Sequence, residues 1–195
     1  MIGSQIDARR GRGRPRGFDE VRALDAAMRI FWAQGYEAAS VDTLSRGMGV
    51  PRASLYNLFG DKQRLFLSAV AVYANGPFAE VAGQLHGGGG LRADLTAFFD
   101  ALIRLTASAG ARGCLVSCVL ADAAGENAGF RQELFQRLEE VEHAIRARLE
   151  EGIAAGDLQG AVPVAELARV IAAAARGLTV AARAGVAPER LHATA

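Results

Sequence analysis

Strand patterning is nearly missing from this chain, while apolar residues recur at three- and four-residue intervals almost throughout. That points to an all-α fold. Cysteine is scarce as well. Cys114 and Cys118 alone make neither a disulfide framework nor a zinc site. The three histidines, His86, His143 and His192, lie far apart without metal or catalytic spacing, and no cofactor is called for. No uninterrupted apolar run reaches the roughly 18–20 residues of a membrane span. Arginines near the N-terminus have no apolar segment behind them, so a secretory signal is not expected. A cytoplasmic protein with no membrane partner is the simplest expectation.

What is present is a chain of 195 residues, 51% hydrophobic and 22% charged, enough to fill a core and stay in solution. The formal net charge is only +1, yet it is unevenly spread. Residues 1–17 carry Arg9, Arg10, Arg12, Arg14 and Arg16 against Asp7 alone, whereas acidic side chains outnumber basic ones beyond residue 64. A polyanion partner at one end, or a solubilising tail, would explain the asymmetry.

Helical spacing marks a first segment from Phe18 to Gln34, stopping before Gly35, with Val21, Leu24, Ala27, Met28, Phe31 and Trp32 on its apolar positions. Ser40 suits the N-cap of a short helix ending at Met48. Gly49 is a C-terminal stop, Pro51 suits the first turn of another helix, and that one runs to about Phe59. Asp61 caps a fourth, and Asn75-Gly76-Pro77 breaks it. Further helices are expected near 91–108, 114–124, 127–155, 163–184 and 187–194. The segment 163–184 is so rich in alanine and valine that it needs cover nearly all round, which suggests a subunit interface. Its expected partner is 127–155 or the last helix.

The segment after Gly49 is too short to hold itself, since isolated helices need about 12–15 residues. Two short helices joined at a glycine form a helix-turn-helix. Small Ser45 fits a close crossing, and Leu44, Val50 and Leu55 form the wedge. Leu58 and Phe59 are expected to pack on the first helix. Arg52, Ala53, Ser54, Tyr56 and Asn57 are then left over for another task. In such motifs the start of the second helix meets base edges in the major groove, where arginine pairs with guanine and asparagine with adenine. Hydroxyls and Lys62 suit phosphate oxygens.

The run "GRPRGFDEVRALDAAMRIFWAQGYEAASVDTLSRGMGVPRASLYNLFGDKQRLFLSAV" resembles the DNA-binding domain of the TetR family of bacterial regulators. The matching residues are Ala26-Ala27, Phe31, Gly35-Tyr36, Ser40, Leu44, Gly49-Val50, Ser54-Leu55-Tyr56, Phe59, Lys62 and Leu65. The resemblance implies a homodimer on a palindromic operator in double-stranded DNA, usually a repressor released by a small molecule. It implies DNA contacts from Ser40, Arg52, Ser54, Tyr56 and Lys62. The organisation it implies is a basic arm at 1–17, a three-helix helix-turn-helix domain at 18–64, and a larger helical ligand-binding and dimerisation domain at 65–195. Gly-Arg-Pro-Arg within the arm is also similar to the core of an AT-hook, so Arg14 and Arg16 are expected in the minor groove.

Candidate ligand contacts are Phe66, Tyr73, Phe98, Leu102, Cys114 and Cys118, all on the helices after residue 64. Phe78, Phe99, Phe130 and Phe135 are further aromatic wall candidates, and core packing is the competing role for every one of them. In a helix, Cys114 and Cys118 share a face about 6 Å apart. "GCL" at 113–115 is similar to a TetR subgroup, some members of which sense electrophiles through cysteine. Arg112 would help ionise Cys114, whereas a pair of small buried hydrophobes is the competing role. An enzyme is not expected, since Glu139, Glu140, Glu142, Glu150 and Glu151 read as a solvated helix face. The alternative function is a ligand-independent, A/T-preferring DNA-binding protein.

Overall fold

A computed structural model describes residues 19–125, 127–158 and 162–195, leaving aside the side chains of 108–111. Every regular element among the described residues is helical. Phe18, Arg14 and Arg16 lie outside them.

Helix α1 (Glu20–Gln34) starts where the Asp19 carboxylate accepts from the amides of Val21 and Arg22, at 3.1 and 3.2 Å. Its buried face is Ala23, Ala27, Met28, Phe31 and Trp32. Helix α2 (Val41–Met48) is capped by Ser40, whose hydroxyl accepts from Thr43 N at 3.1 Å. Gly49 ends it in the left-handed region at φ +69°, and Val50 N donates back to the Ser45 carbonyl at 3.0 Å. The Ser45 hydroxyl donates in turn to the Val50 carbonyl, so the turn is tied twice. Helix α3 (Arg52–Phe59) follows, with Pro51 just ahead of its first turn. Leu44, Val50, Leu55 and Phe59 are buried between α2, α3 and α1. Leu58 is not: it is 45% exposed, because α3 presents only Leu55 and Phe59 inward.

Helix α4 (Lys62–Asn75) is capped by Asp61, which accepts from Arg64 N at 2.7 Å, and it packs along α1. At Gly76 the chain turns into α5 (Pro77–Gly83) and a 3₁₀ turn at Gln84–His86. By length and hydropathy alone Lys62–His86 would pass for a membrane-crossing helix, but it bends at Gly76 and packs on α1 and α6. Helix α6 (Leu91–Ala111) leads to a stretch that departs from the expected continuous helix over 114–124. Cys114 is extended at φ −92° and ψ 135°, Leu115–Leu120 forms a π-helical turn, and α7 (Ala121–Ala123) ends it. Helices α8 (Ala128–Ala154), α9 (Val164–Arg183) and α10 (Pro188–His192) complete the chain.

The core does not respect a boundary near residue 64. Phe66 stacks edge-on against Phe31 at 4.9 Å and Phe130 at 5.2 Å, so α1, α4 and α8 share one aromatic cluster with Tyr36. A second cluster joins Val81 and Leu85 to α6, α8 and α9. Its edge holds a buried ion pair, Arg148 Nε to Asp94 Oδ2 at 2.9 Å, with Asp94 also accepting from Gly89 N at 3.2 Å. Burial pushes the Asp94 carboxyl up, but Arg148 and the glycine amides outweigh that and hold it below the usual range. The glycine run 87–90 is therefore pinned to α8.

Candidate nucleic-acid interface and interior cavity

Helix α3 buries one face and offers the other. Arg52, Ala53, Tyr56 and Asn57 occupy successive turns of the outward face; all are exposed, Tyr56 to 46%, and Ser54 is half-buried at their edge. Arg52 is not entirely idle. Its Nε lies 3.0 Å from Asp42 Oδ1 on α2, with both side chains exposed. Exposed pairs are worth about 0–1 kcal/mol, so a phosphate or a guanine edge can displace this one. Lys62 Nζ donates to the Glu37 carbonyl at 3.2 Å and sits 4.5 Å from the centre of the Tyr36 ring. The exposed Ser40 hydroxyl shares a 2.9 Å hydrogen bond with Thr43 Oγ1 beside its capping role. Sequence reasoning missed Asp42 and Thr43, although both stand in α2 beside residues it singled out.

Behind this head lies a cavity of about 340 Å³ lined by residues of α4, α5, α6, α8, α9 and the π-helical turn. Phe78, Phe98, Leu102 and Cys114 line it. Phe66 does not, because the aromatic cluster of α1 and α8 encloses its ring. Tyr73 lies behind the wall instead: its hydroxyl donates to Cys114 Sγ at 3.4 Å, and burial, with the thiol beside it, holds the phenol well above its usual value. Cys118 is also outside the lining, its thiol facing the Thr179 carbonyl at 3.9 Å, and burial pushes it up. Cys114 precedes the helical turn in an extended conformation, so the two cysteines do not sit on one continuous helix as expected. Phe99 packs beside Phe98 in the second core cluster, Phe130 belongs to the aromatic cluster, and Phe135 is 66% exposed, so none of the three lines the cavity.

Arg112 serves Trp32 rather than Cys114, with its guanidinium 5.9 Å from the indole ring centre. The Trp32 N–H donates to the Gly113 carbonyl at 2.9 Å, a buried link from α1 to the residue before Cys114. No periodicity signals that contact. Nor did it signal the charged groups on the cavity wall, Arg137, Glu140 and Arg176. Glu140 is exposed, as expected of a solvated face, and pairs with Arg137 at 2.8 Å, while Glu133 holds the same guanidinium at 2.8 Å.

The family model for bacterial regulatory proteins of the tetR family matches residues 23–69, and a tetracyclin repressor-like C-terminal domain matches residues 91–195. The HTH-type transcriptional repressor ComR of Escherichia coli (strain K12) is 28% identical over 185 residues, covering 94% of this chain and 88% of ComR. A cysteine-substituted variant of the transcriptional regulator CifR, solved with 26-base-pair double-strand operator DNA, is 35% identical with a TM-score of 0.85, covering 92% of this chain and 95% of that one. The outward face of α3, the helical body behind it and these matches agree: the chain belongs to the TetR family of bacterial regulatory proteins and is a DNA-binding transcriptional regulator.

Proposed function

We propose that this TetR-family repressor holds a palindromic operator as a homodimer and releases it when a small molecule or an electrophile occupies the cavity. The observation that carries the reading is the α3 face: Arg52, Ala53, Tyr56 and Asn57 outward, Leu55 and Phe59 inward. Arg52 and Asn57 supply base contacts; Ser40, Ser54, Tyr56 and Lys62 supply phosphate contacts. Lys62 would have to exchange its hold on the Glu37 carbonyl for a phosphate, or lend its charge from where it stands. Arg14 and Arg16, on an arm spanning 1–17, reach the minor groove beside each half-site. A regulator of this kind works in the cytoplasm, where the chromosome is, and needs no catalytic activity.

Pairing falls to α9 with α8. Val170 and Val180 on α9 are 64% and 53% exposed, and Phe135 stands out from α8. Ala173, Ala174 and Gly177 complete a small-residue stripe between the two valines, also exposed. A twofold partner covers such a face and spaces two α3 helices by one turn of DNA or a multiple. Division into a reading unit at 18–64 and a sensing unit at 65–195 then has a functional sense, with the shared aromatic cluster transmitting between them. A ligand touching Phe98, Leu102 and Cys114 bears on Gly113, and through it on Trp32 of α1, while α4 tilts at Gly76. Such a ligand lowers operator affinity by its differential binding to the two states.

For the electrophile arm, Cys114 is the candidate, since it lines the cavity and Cys118 does not. Unchanged induction by a quinone in Cys114→Ser would remove that arm and leave the non-covalent one. A ligand-independent, A/T-preferring binder gives the cavity no use. Selection of bound sequences from random duplex DNA separates the two readings. The regulator returns one inverted repeat, preferred over random DNA by at least about 10³-fold. A pool enriched only in A/T content would refute it.

A further inference from the structure

Taking the cavity as the effector site, as proposed above, we infer that its ligand is a small amphiphile with a single carboxylate, and that Arg176 holds the carboxylate. The cavity, about 340 Å³, lies at the low end of the roughly 300–1,000 Å³ of small-molecule sites, which limits the ligand's size. Its wall is largely apolar, with Phe78, Phe98, Leu102 and Val141. Two arginines break that wall. Arg137 is satisfied: Glu133 and Glu140 each take one of its N–H groups at 2.8 Å. Arg176 is different. Among the described residues its guanidinium has no ion pair and no hydrogen bond; the Thr179 hydroxyl donates to its backbone carbonyl, at 2.9 Å, and leaves the side chain free.

The position of Arg176 on α9 assigns it to the cavity. Ala172, Ala175, Arg176 and Thr179 recur at helical spacing, and all four line the cavity. Val170, Ala173, Ala174 and Gly177 occupy the exposed face, so the pairing surface leaves Arg176 on the cavity side. Ser117 also lines the cavity, and its hydroxyl has no partner among the described residues. The 3.9 Å approach of the Cys118 thiol to the Thr179 carbonyl joins their two elements one residue from Ser117 and three from Arg176.

A half-buried guanidinium against apolar walls is incompletely hydrated, and a neutral ligand would leave it so. A cation would be repelled. A carboxylate takes two parallel N–H groups of the fork, and one charge balances one charge. A phosphate monoester brings nearly two charges, and among the described residues Arg176 is the one arginine on the wall without an ion pair. The remainder of the ligand is apolar, matching the phenylalanine and leucine wall.

Calorimetric titration of the full-length protein with 4-phenylbutyrate and octanoate, each beside its primary amide, tests the assignment. Both acids should bind at least tenfold more tightly than their amides. Arg176→Gln should remove that preference by weakening the acids alone, Arg176→Lys should restore part of it, and thermal melts report whether each variant is folded. Ala144→Phe, which fills the cavity from α8, should weaken all four probes. Acids and amides binding equally, with Ala144→Phe weakening both, would overturn the carboxylate assignment and keep the cavity as the site. Acids that bind equally well to Arg176→Gln overturn the role of Arg176. Binding that Ala144→Phe leaves untouched, or no binding by any probe, overturns the assignment together with the cavity reading.

Discussion

Two short stretches of this chain begin alike and end in opposite roles. Helix α3 and the π-helical turn at Leu115–Leu120 each follow a left-handed glycine, Gly49 at φ +69° and Gly113 at φ +66°. A Cβ on Gly49 would meet nothing within 4 Å, whereas one on Gly113 would lie 2.8 Å from Cys118 Sγ and 2.9 Å from the Thr179 carbonyl. The first glycine only turns the chain, leaving α3 with one face free for a partner. The second is walled in by α9, and its segment spends its groups inward on Trp32, Tyr73 and the cavity. An element that meets a partner needs side chains on an open face; one that walls a cavity turns them inward.

The sharpest way to break that contrast is to add one methyl to each glycine. Gly113→Ala should cost about 3 kcal/mol, combining left-handed strain with displacement of a backbone carbonyl, seen as a melting temperature lowered by roughly 10 °C. Gly49→Ala should cost only the strain, about 1–2 kcal/mol, in the same melt. Equal losses would mean that the two turns are built alike. Next in size is Trp32→Phe, which leaves the buried Gly113 carbonyl without its donor and should lower stability by about 1–2 kcal/mol. It should also reduce the shift in operator affinity that a ligand produces, measured by titration with and without ligand. Tyr56→Phe removes one exposed hydroxyl; stability should hold within about 0.5 kcal/mol while affinity for every duplex falls by about 1 kcal/mol. Asp42→Ala is the smallest. Freeing Arg52 from its surface partner should leave operator binding unchanged or tighten it by less than about 1 kcal/mol.

The reading element was legible because its determinants are local. Ser40, Gly49 and Asp61 are caps and stops that act within four residues, and they stand where the sequence placed them. Leu58 was misassigned because an eight-residue helix has room for few inward positions, and Leu55 and Phe59 take them. The segments that wall the cavity were legible only as helices. Phe66 and Phe98 have the same character and the same helical spacing, yet one faces Phe31 and Phe130 and the other the cavity. Periodicity gives the buried face of a helix but not which neighbour covers it. Arg148 meets Asp94 54 positions away, Trp32 meets Gly113 81 positions away, and neither pairing leaves a local signature. The π-helical turn is invisible for a related reason, since groups packed around Gly113, the Thr179 carbonyl among them, come from α9, far along the chain.

The central claim is that α3 reads base edges, once per subunit of a symmetric pair. Its most direct test is to titrate the wild-type protein and Arg52→Ala onto the selected operator and onto variants with each base pair changed in turn. Arg52→Ala should lose about 1–3 kcal/mol and lose discrimination at one symmetric pair of positions, keeping it elsewhere. Uniform weakening at every position, or discrimination identical to wild type, would contradict it.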